Sequence, residues 1–204
     1  MSLQADTPRL VLASASAARR ALLEAAGLRV QARPARVDEA ALKQAARAEG
    51  LDPGNAALRL ADAKAWQVAR DDDTALVIGG DQLLVCDGRW FDKPADLDQA
   101  RAQLRALRGR THTLVTAVAC RLGERLLWHT VACPCLTMRD FSDAFLETYL
   151  SLDAASVTAT VGAYRLEGPG MHLFESVEGE HAAILGLPLL ELLGFLRRYG
   201  VVEN

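Results

Sequence analysis

The sequence predicts an α/β fold, a mixed sheet flanked by helices. Three observations carry that reading. Apolar strand-like runs alternate with helical patterns through the first half of the chain. Three extended runs then follow one another with no helix between them, which implies an antiparallel portion of sheet. Half of the 204 residues are hydrophobic, enough for one well-buried core or one core split into two lobes. No internal repeat or linker divides the chain, so residues 1–204 are read as one domain.

Arg9 to Ala13 is the first strand, and Ser16 is a natural N-cap for a helix that Gly27 stops. Leu28 to Val37 is extended and broken by Pro34; Asp38-Glu39 then stands just ahead of a helix over Ala40 to Glu49. After the loop Gly50 to Gly54, Asn55 is expected to cap a helix from Ala56 to about Ala69 that carries Lys64. Asp71-Asp72-Asp73 reads as a solvated turn. Ala75 to Ile78 and Leu83 to Val85 are apolar strand runs, followed by a hairpin at Cys86-Asp87-Gly88-Arg89 and a short strand at Trp90-Phe91. Asp96 and Gln99 have capping-box spacing ahead of a helix closed at Gly109. The extended runs are Thr113 to Cys120, Leu126 to Cys133 and Cys135 to Met138. An amphipathic helix over Ser142 to Leu150 follows, then glycine-rich turns, and Pro188 opens a last helix from Leu189 to Tyr199.

Composition narrows the function classes. With 26 acidic against 23 basic residues the net charge is -3, and no basic stripe is available to neutralise many phosphates, so no stable nucleic-acid partner is expected. No run reaches the roughly 18 apolar residues of a membrane span and the N-terminus lacks a signal-peptide apolar region, which points to no membrane partner and a cytoplasmic location. Cys86, Cys120, Cys133 and Cys135 lack paired CxxC spacing and are read as buried free thiols.

The candidate chemistry centres on Gly79-Gly80-Asp81-Gln82. A carboxylate between two apolar runs is costly unless it is paired or used, and two glycines before it let a ligand or a neighbouring backbone come close. The plainer reading is a carboxylate that accepts hydrogen bonds from a turn. Ser14 and Ser16 place two hydroxyls, free N–H groups and the positive end of a helix dipole together, while Arg19 and Arg20 oppose that dipole unless an anion sits there. Taken alone, this is equally an ordinary capped helix. Asp38-Glu39 is by itself an acidic pair that complements a helix start. A serine-lined helix start, Asp81, an acidic pair and lysines together suit phosphate chemistry, which rests on charge neutralisation, positioning of water and a divalent metal.

Leu12-Ala13-Ser14-Ala15-Ser16-Ala17-Ala18-Arg19, Asp38-Glu39, Gly80-Asp81-Gln82, Lys93-Pro94, Gly162-Ala163-Tyr164 and Gly186-Leu187-Pro188 together resemble the Maf family of nucleotide pyrophosphatases, in the family's order from about Leu10 to Tyr199. The resemblance implies an elongated fold of the Maf and inosine-triphosphatase type, two lobes around a cleft, often dimeric. It also implies hydrolysis of nucleoside triphosphates to monophosphate and pyrophosphate with Mg²⁺ or Mn²⁺. Carried over residue by residue, Asp81 matches the base and Glu39 the acid at the metal, so both are candidate metal ligands. Ser14, Ser16 and Arg19 match the phosphate-binding helix start, and Lys64 and Lys93 match lysines at the polyphosphate.

Ala18, Gln82 and Glu167 fall where the family sorts substrates; Gln82 and Glu167 resemble the branch acting on 7-methyl-GTP. A carboxylate at 167 could accept from guanine N1–H and N2–H₂ and would suit a cationic methylated base. Two departures are clear: Ala17 and Ala18 replace the family's proline and its larger specificity side chain, and Ala183 stands where many members have Asn. The alternatives are a dTTP/UTP enzyme of the same family, an inosine-triphosphatase-type enzyme, and a non-catalytic nucleotide- or nucleic-acid-binding regulator of cell division.

Overall fold

The computed structural model describes residues 3–203 and has the mixed α/β architecture expected. Its strands are β1 (Arg9–Leu12), β2 (Val30–Ala32), β3 (Ala75–Cys86), β4 (Arg89–Phe91), β5 (Thr111–Leu122), β6 (Arg125–Ala132), β7 (Cys135–Met138) and β8 (Phe174–Glu178). The helices are α1 (Ala17–Ala25), α2 (Glu39–Ala48), α3 (Pro53–Ala69), α4 (Leu97–Leu107), α5 (Asp143–Leu152), α6 (His181–Ile184) and α7 (Leu189–Arg198). The strands form one sheet in the order β2-β1-β3-β5-β7-β8, with β4 paired to β3 and β6 to β5. β1 runs parallel to β2 and β3, whereas β5, β6, β7 and β8 pair antiparallel, as the three successive extended runs require.

The described residues divide into two compact units: residues 3–81, 116–132 and 180–203, and residues 82–115 and 133–179. In the first, the central strands are buried on both faces. Leu10, Leu12, Leu76 and Ile78 pack with Leu23 of α1 and Leu192, Phe195 and Leu196 of α7, while Val11, Ala13, Ala75 and Val77 face Ala65, Val68 and Ala69 of α3. That explains why these runs are continuous rather than alternating in hydrophobicity. In the second unit Tyr149, Tyr164, His112 and Phe174 are buried, and Tyr164 meets Phe174 edge-on at 4.8 Å.

Several local expectations shift. β3 is one twelve-residue strand, so Asp81 lies inside it rather than at a strand end. Helix α3 starts three residues early: Asp52, not Asn55, is the cap, accepting from the N–H groups of Gly54 and Asn55 at 2.9 and 3.1 Å, with Pro53 in the first turn where no N–H is needed. Half of the capping box at α4 forms, Asp96 accepting from Gln99 N–H at 2.8 Å, but the Gln99 side chain accepts from Ala95 instead. Asp72 is not a solvated turn residue: it binds Arg9 at 2.6 Å and Arg33 at 3.1 Å. All four thiols are free, with Cys86 and Cys120 buried but Cys133 exposed. Among the described residues no helix is long and apolar enough to cross a membrane.

Candidate active site

The start of α1 is built around a buried arginine. Ser16 caps the helix, its Oγ accepting from Arg19 N–H at 3.3 Å. Arg19, only 9% exposed, turns back from the first turn instead of reaching solvent. Its Nη1 donates to Ser14 Oγ at 3.2 Å and its Nε to the carbonyl of Gly186 at 2.7 Å. Ser14 Oγ also accepts from Ser16 N–H at 3.2 Å, which leaves its own O–H as a donor. Gly186 has φ of +103°, a conformation few side chains adopt, and that turn aims its carbonyl at the guanidinium. The opposing charge of Arg20 has an ordinary answer, an i,i+4 ion pair with Glu24 at 2.7 Å.

The two glycines before Asp81 admit protein neighbours. A Cβ on Gly79 would lie 2.1 Å from the Ala61 carbonyl oxygen and 2.8 Å from Ala65 N, so β3 and α3 can touch only through glycine. A Cβ on Gly80 would stand 3.1 Å from Arg19 Nε. The close helix contact lets Lys64 of α3 reach Asp81 of β3. Lys64 Nζ donates to Asp81 Oδ1 at 2.6 Å and pairs with Glu39 Oε1, on the first turn of α2, at 2.8 Å. Lys64 and Asp81 are buried and Glu39 is half-exposed. Burial pushes the pKa of the Arg19 guanidinium down, and the attraction of Asp81 and then Glu39 opposes that, so two cations and two carboxylates share one field. Asp81 Oδ2 is buried with no hydrogen-bond partner among the described residues. Such an atom can accept from a donor or cation that a ligand brings.

Ser14, Ser16, Arg19, Glu39, Lys64 and Asp81 thus all belong to the first unit, with Ala18 half-buried on α1. Asp81 and Glu39 offer hard oxygen donors, suited to Mg²⁺ or Mn²⁺ bound through one or two carboxylates with water and phosphate oxygens completing the shell. An all-protein cage is a poorer description, since no group of three or more His, Cys, Asp or Glu among the described residues could hold a metal.

Gln82, Lys93 and Glu167 belong to the second unit. Lys93 is exposed after β4, beside the buried Pro94. Glu167 is exposed on a segment whose backbone is held firmly. Thr160 Oγ1 donates to the Tyr164 carbonyl at 2.9 Å, Tyr149 Oη to that of Ala163 at 3.0 Å, and Arg165 Nη2 to Asp153 Oδ1 at 2.8 Å. Gly162 has φ of +79°, and a Cβ on Gly170 would lie 2.4 Å from the Arg165 carbonyl oxygen. The glycines of this stretch were legible in the sequence; the Asp153 anchor, twelve residues from Arg165, carried no local signal.

The family model described as Maf-like protein matches residues 9–199. A nucleoside triphosphate pyrophosphatase of Granulibacter bethesdensis is 52% identical over 94% of this chain and 97% of its own. One of the same name from Rhodospirillum rubrum is 48% identical over 98% and 99%. A 7-methyl-GTP pyrophosphatase of Rhizobium meliloti is 45% identical over 96% and 98%. Matches of this extent leave no part of the site described above outside the shared region, and the chain belongs to the Maf-like protein family.

Proposed function

We propose that this protein is a nucleoside triphosphate pyrophosphatase, cleaving the bond between the α- and β-phosphates to release a nucleoside monophosphate and pyrophosphate. The observation that carries the reading is Asp81, a buried carboxylate with one oxygen held by Lys64 and the other orphaned, in the same unit as a serine-lined helix start. Relatives sharing about half their residues with this chain bear that name.

In this reading Asp81 Oδ2 accepts a proton from the attacking water as the water oxygen bonds to the α-phosphorus and pyrophosphate departs. Lys64 holds Oδ1 and fixes the orientation of the carboxylate. The Ser14 hydroxyl, the free N–H groups of α1 and the charge of Arg19 receive phosphate oxygens, and Lys93 is a second cation for the polyphosphate. Asp81 and Glu39 would hold Mg²⁺ or Mn²⁺, which supplies neutralisation of phosphate charge when bound. Replacing Asp81 by Asn keeps the shape and removes the base. Pyrophosphate release with Mn²⁺ is expected to fall about 100- to 10,000-fold while triphosphate binding persists. Equal rates would reject the assigned base, and wild type that binds triphosphate without releasing pyrophosphate would make the protein a binder instead.

For the base we propose 7-methyl-GTP, read through Gln82 and Glu167. The support is chemical, an exposed carboxylate at Glu167 suited to guanine N–H donors and a cationic ring, and relatives at 45% and 44% identity carry that substrate in their names. Wild type is expected to favour 7-methyl-GTP over UTP in kcat/KM, and Glu167→Gln to reduce the ratio by about tenfold, roughly the value of one charged hydrogen bond. Comparable turnover of the two nucleotides by wild type would remove this assignment and leave the hydrolysis itself standing.

A further inference from the structure

Glu39 reaches Lys64 from a half-exposed position at the start of α2, and the segment that delivers it is pinned in an unusual way. Residues 33–38 connect β2 to α2. At one end Arg33 N–H donates to the Leu12 carbonyl at 2.9 Å, and at the other Asp38 caps α2 by accepting from Ala41 N–H at 2.9 Å. Between them stands Gln67 of α3. Its Nε2 donates to the Arg36 carbonyl at 2.9 Å and its Oε1 accepts from Arg36 N–H, so one amide satisfies both peptide groups of one residue as a neighbouring strand would. Only an amide has the donor and the acceptor for that pairing.

The spacing gives this clamp its consequence. Gln67 lies three residues after Lys64 on α3, and Arg36 three before Glu39, so the segment is fastened to one face of α3 at two points about one helical turn apart. The clamp borders an open concavity of about 250 Å³ whose lining includes Arg33, Arg36, Gln67 and Arg70. Water can therefore replace the lost hydrogen bonds when Gln67 is changed, but water does not hold the segment in place.

We propose that Gln67 is a positioning residue: by clamping Arg36 to α3 it holds the first turn of α2, and with it the Glu39 carboxylate, against Lys64. The proposal rests on the assignment of Glu39 to metal made above. The test compares wild type, Gln67→Leu, Glu39→Gln and the double variant in two measurements, Mn²⁺ binding to the protein alone by electron paramagnetic resonance and pyrophosphate release as Mn²⁺ is varied. Gln67→Leu is expected to weaken Mn²⁺ binding about tenfold and to raise the half-saturating Mn²⁺ concentration by a similar factor, with little change in rate at saturation. In the Glu39→Gln background the same change should do nothing further. Unaltered Mn²⁺ binding by Gln67→Leu, or an equal loss with and without Glu39, overturns the proposal. Glu39→Gln that behaves as wild type in both measurements removes the Glu39 assignment itself and the proposal with it. Should leucine prevent folding, Gln67→Glu keeps the acceptor, loses the donor and is held to the same outcomes.

Discussion

Lys64 is shared by two carboxylates of different exposure, and that asymmetry decides what each can do. Asp81 is deep in β3 and cannot exchange its partner for water, whereas Glu39 is half solvated and can release Lys64 at small cost. Removing the ammonium should therefore be felt mainly by Asp81. In Lys64→Met the Asp81 carboxylate loses the ion pair on Oδ1 and is left buried and unpaired. Lys64→Met is therefore expected to destabilise the protein by about 3 kcal/mol or more in urea unfolding, and Lys64→Met combined with Asp81→Asn by much less. A double variant as unstable as Lys64→Met would mean that the ammonium is not there to compensate this carboxylate. Arg19 poses a different case: with Nε on a carbonyl and Nη1 on a serine, its position is fixed before any ligand arrives, so its charge is presented without a large ordering cost.

At the scale of elements, the contact between β3 and α3 is what makes the site. It depends on Gly79, whose absent side chain lets the strand touch the helix backbone at Ala61 and Ala65; bidentate pairing of Arg121 on β5 with Asp62 fastens the same helix. Gly79→Ala has no flexible neighbour to displace and should destabilise the protein by about 3 kcal/mol or more in urea unfolding. Gly80→Ala asks the Arg19 side chain, at 3.1 Å from the new Cβ, to yield a few tenths of an ångström and not a backbone to move, so it should cost less stability than Gly79→Ala while raising KM for the triphosphate. Similar unfolding midpoints for the two variants would contradict this account of the contact. The sequence announced those features whose cause is local. Ser16 as a cap, Gly27 as a helix stop and Asp87-Gly88 as a hairpin turn, with φ of 48° and 75°, were all readable, because each rests on chemistry within a few residues. Gly79-Gly80 was legible as a place of close approach, but the sequence could not say what approaches. The continuity of β3 through Asp81, the Gly186 carbonyl beneath Arg19 and the Gln67 clamp depend on partners 17, 167 and 31 residues away, a separation that leaves no periodic trace. β8 escaped because its two apolar residues, Phe174 and Val177, stand three apart among Glu175, Ser176 and Glu178 and so break the period-two alternation of a strand.

Across the whole molecule, the two units carry different kinds of buried polarity, and acid should act on them differently. Both units bury carboxylates in ion pairs, Asp81 with Lys64 in the first and Asp153 with Arg165 in the second. The second also buries a neutral imidazole: His112, 1% exposed, meets Tyr164 Oη through Nε2 at 2.7 Å, while its Nδ1 has no hydrogen-bond partner among the described residues. Burial pushes its pKa down to about 4 from an ordinary 6.5. The folded value is the lower one, so the unfolded chain takes up the proton first. This residue's contribution is therefore complete above about pH 6.5 and is lost progressively as pH falls toward 4, a change of roughly 3 kcal/mol at most. Because His112, Tyr164, Phe174 and Tyr149 all lie in the second unit, the loss belongs there. Hydrogen exchange at pH 7 and pH 5, corrected for intrinsic rates, should show amides in residues 133–179 losing protection in wild type. In His112→Gln, which cannot gain the proton, the difference between the two pH values should shrink. Parallel losses in the two proteins would show that acid acts through the carboxylates of the ion pairs and not through this imidazole.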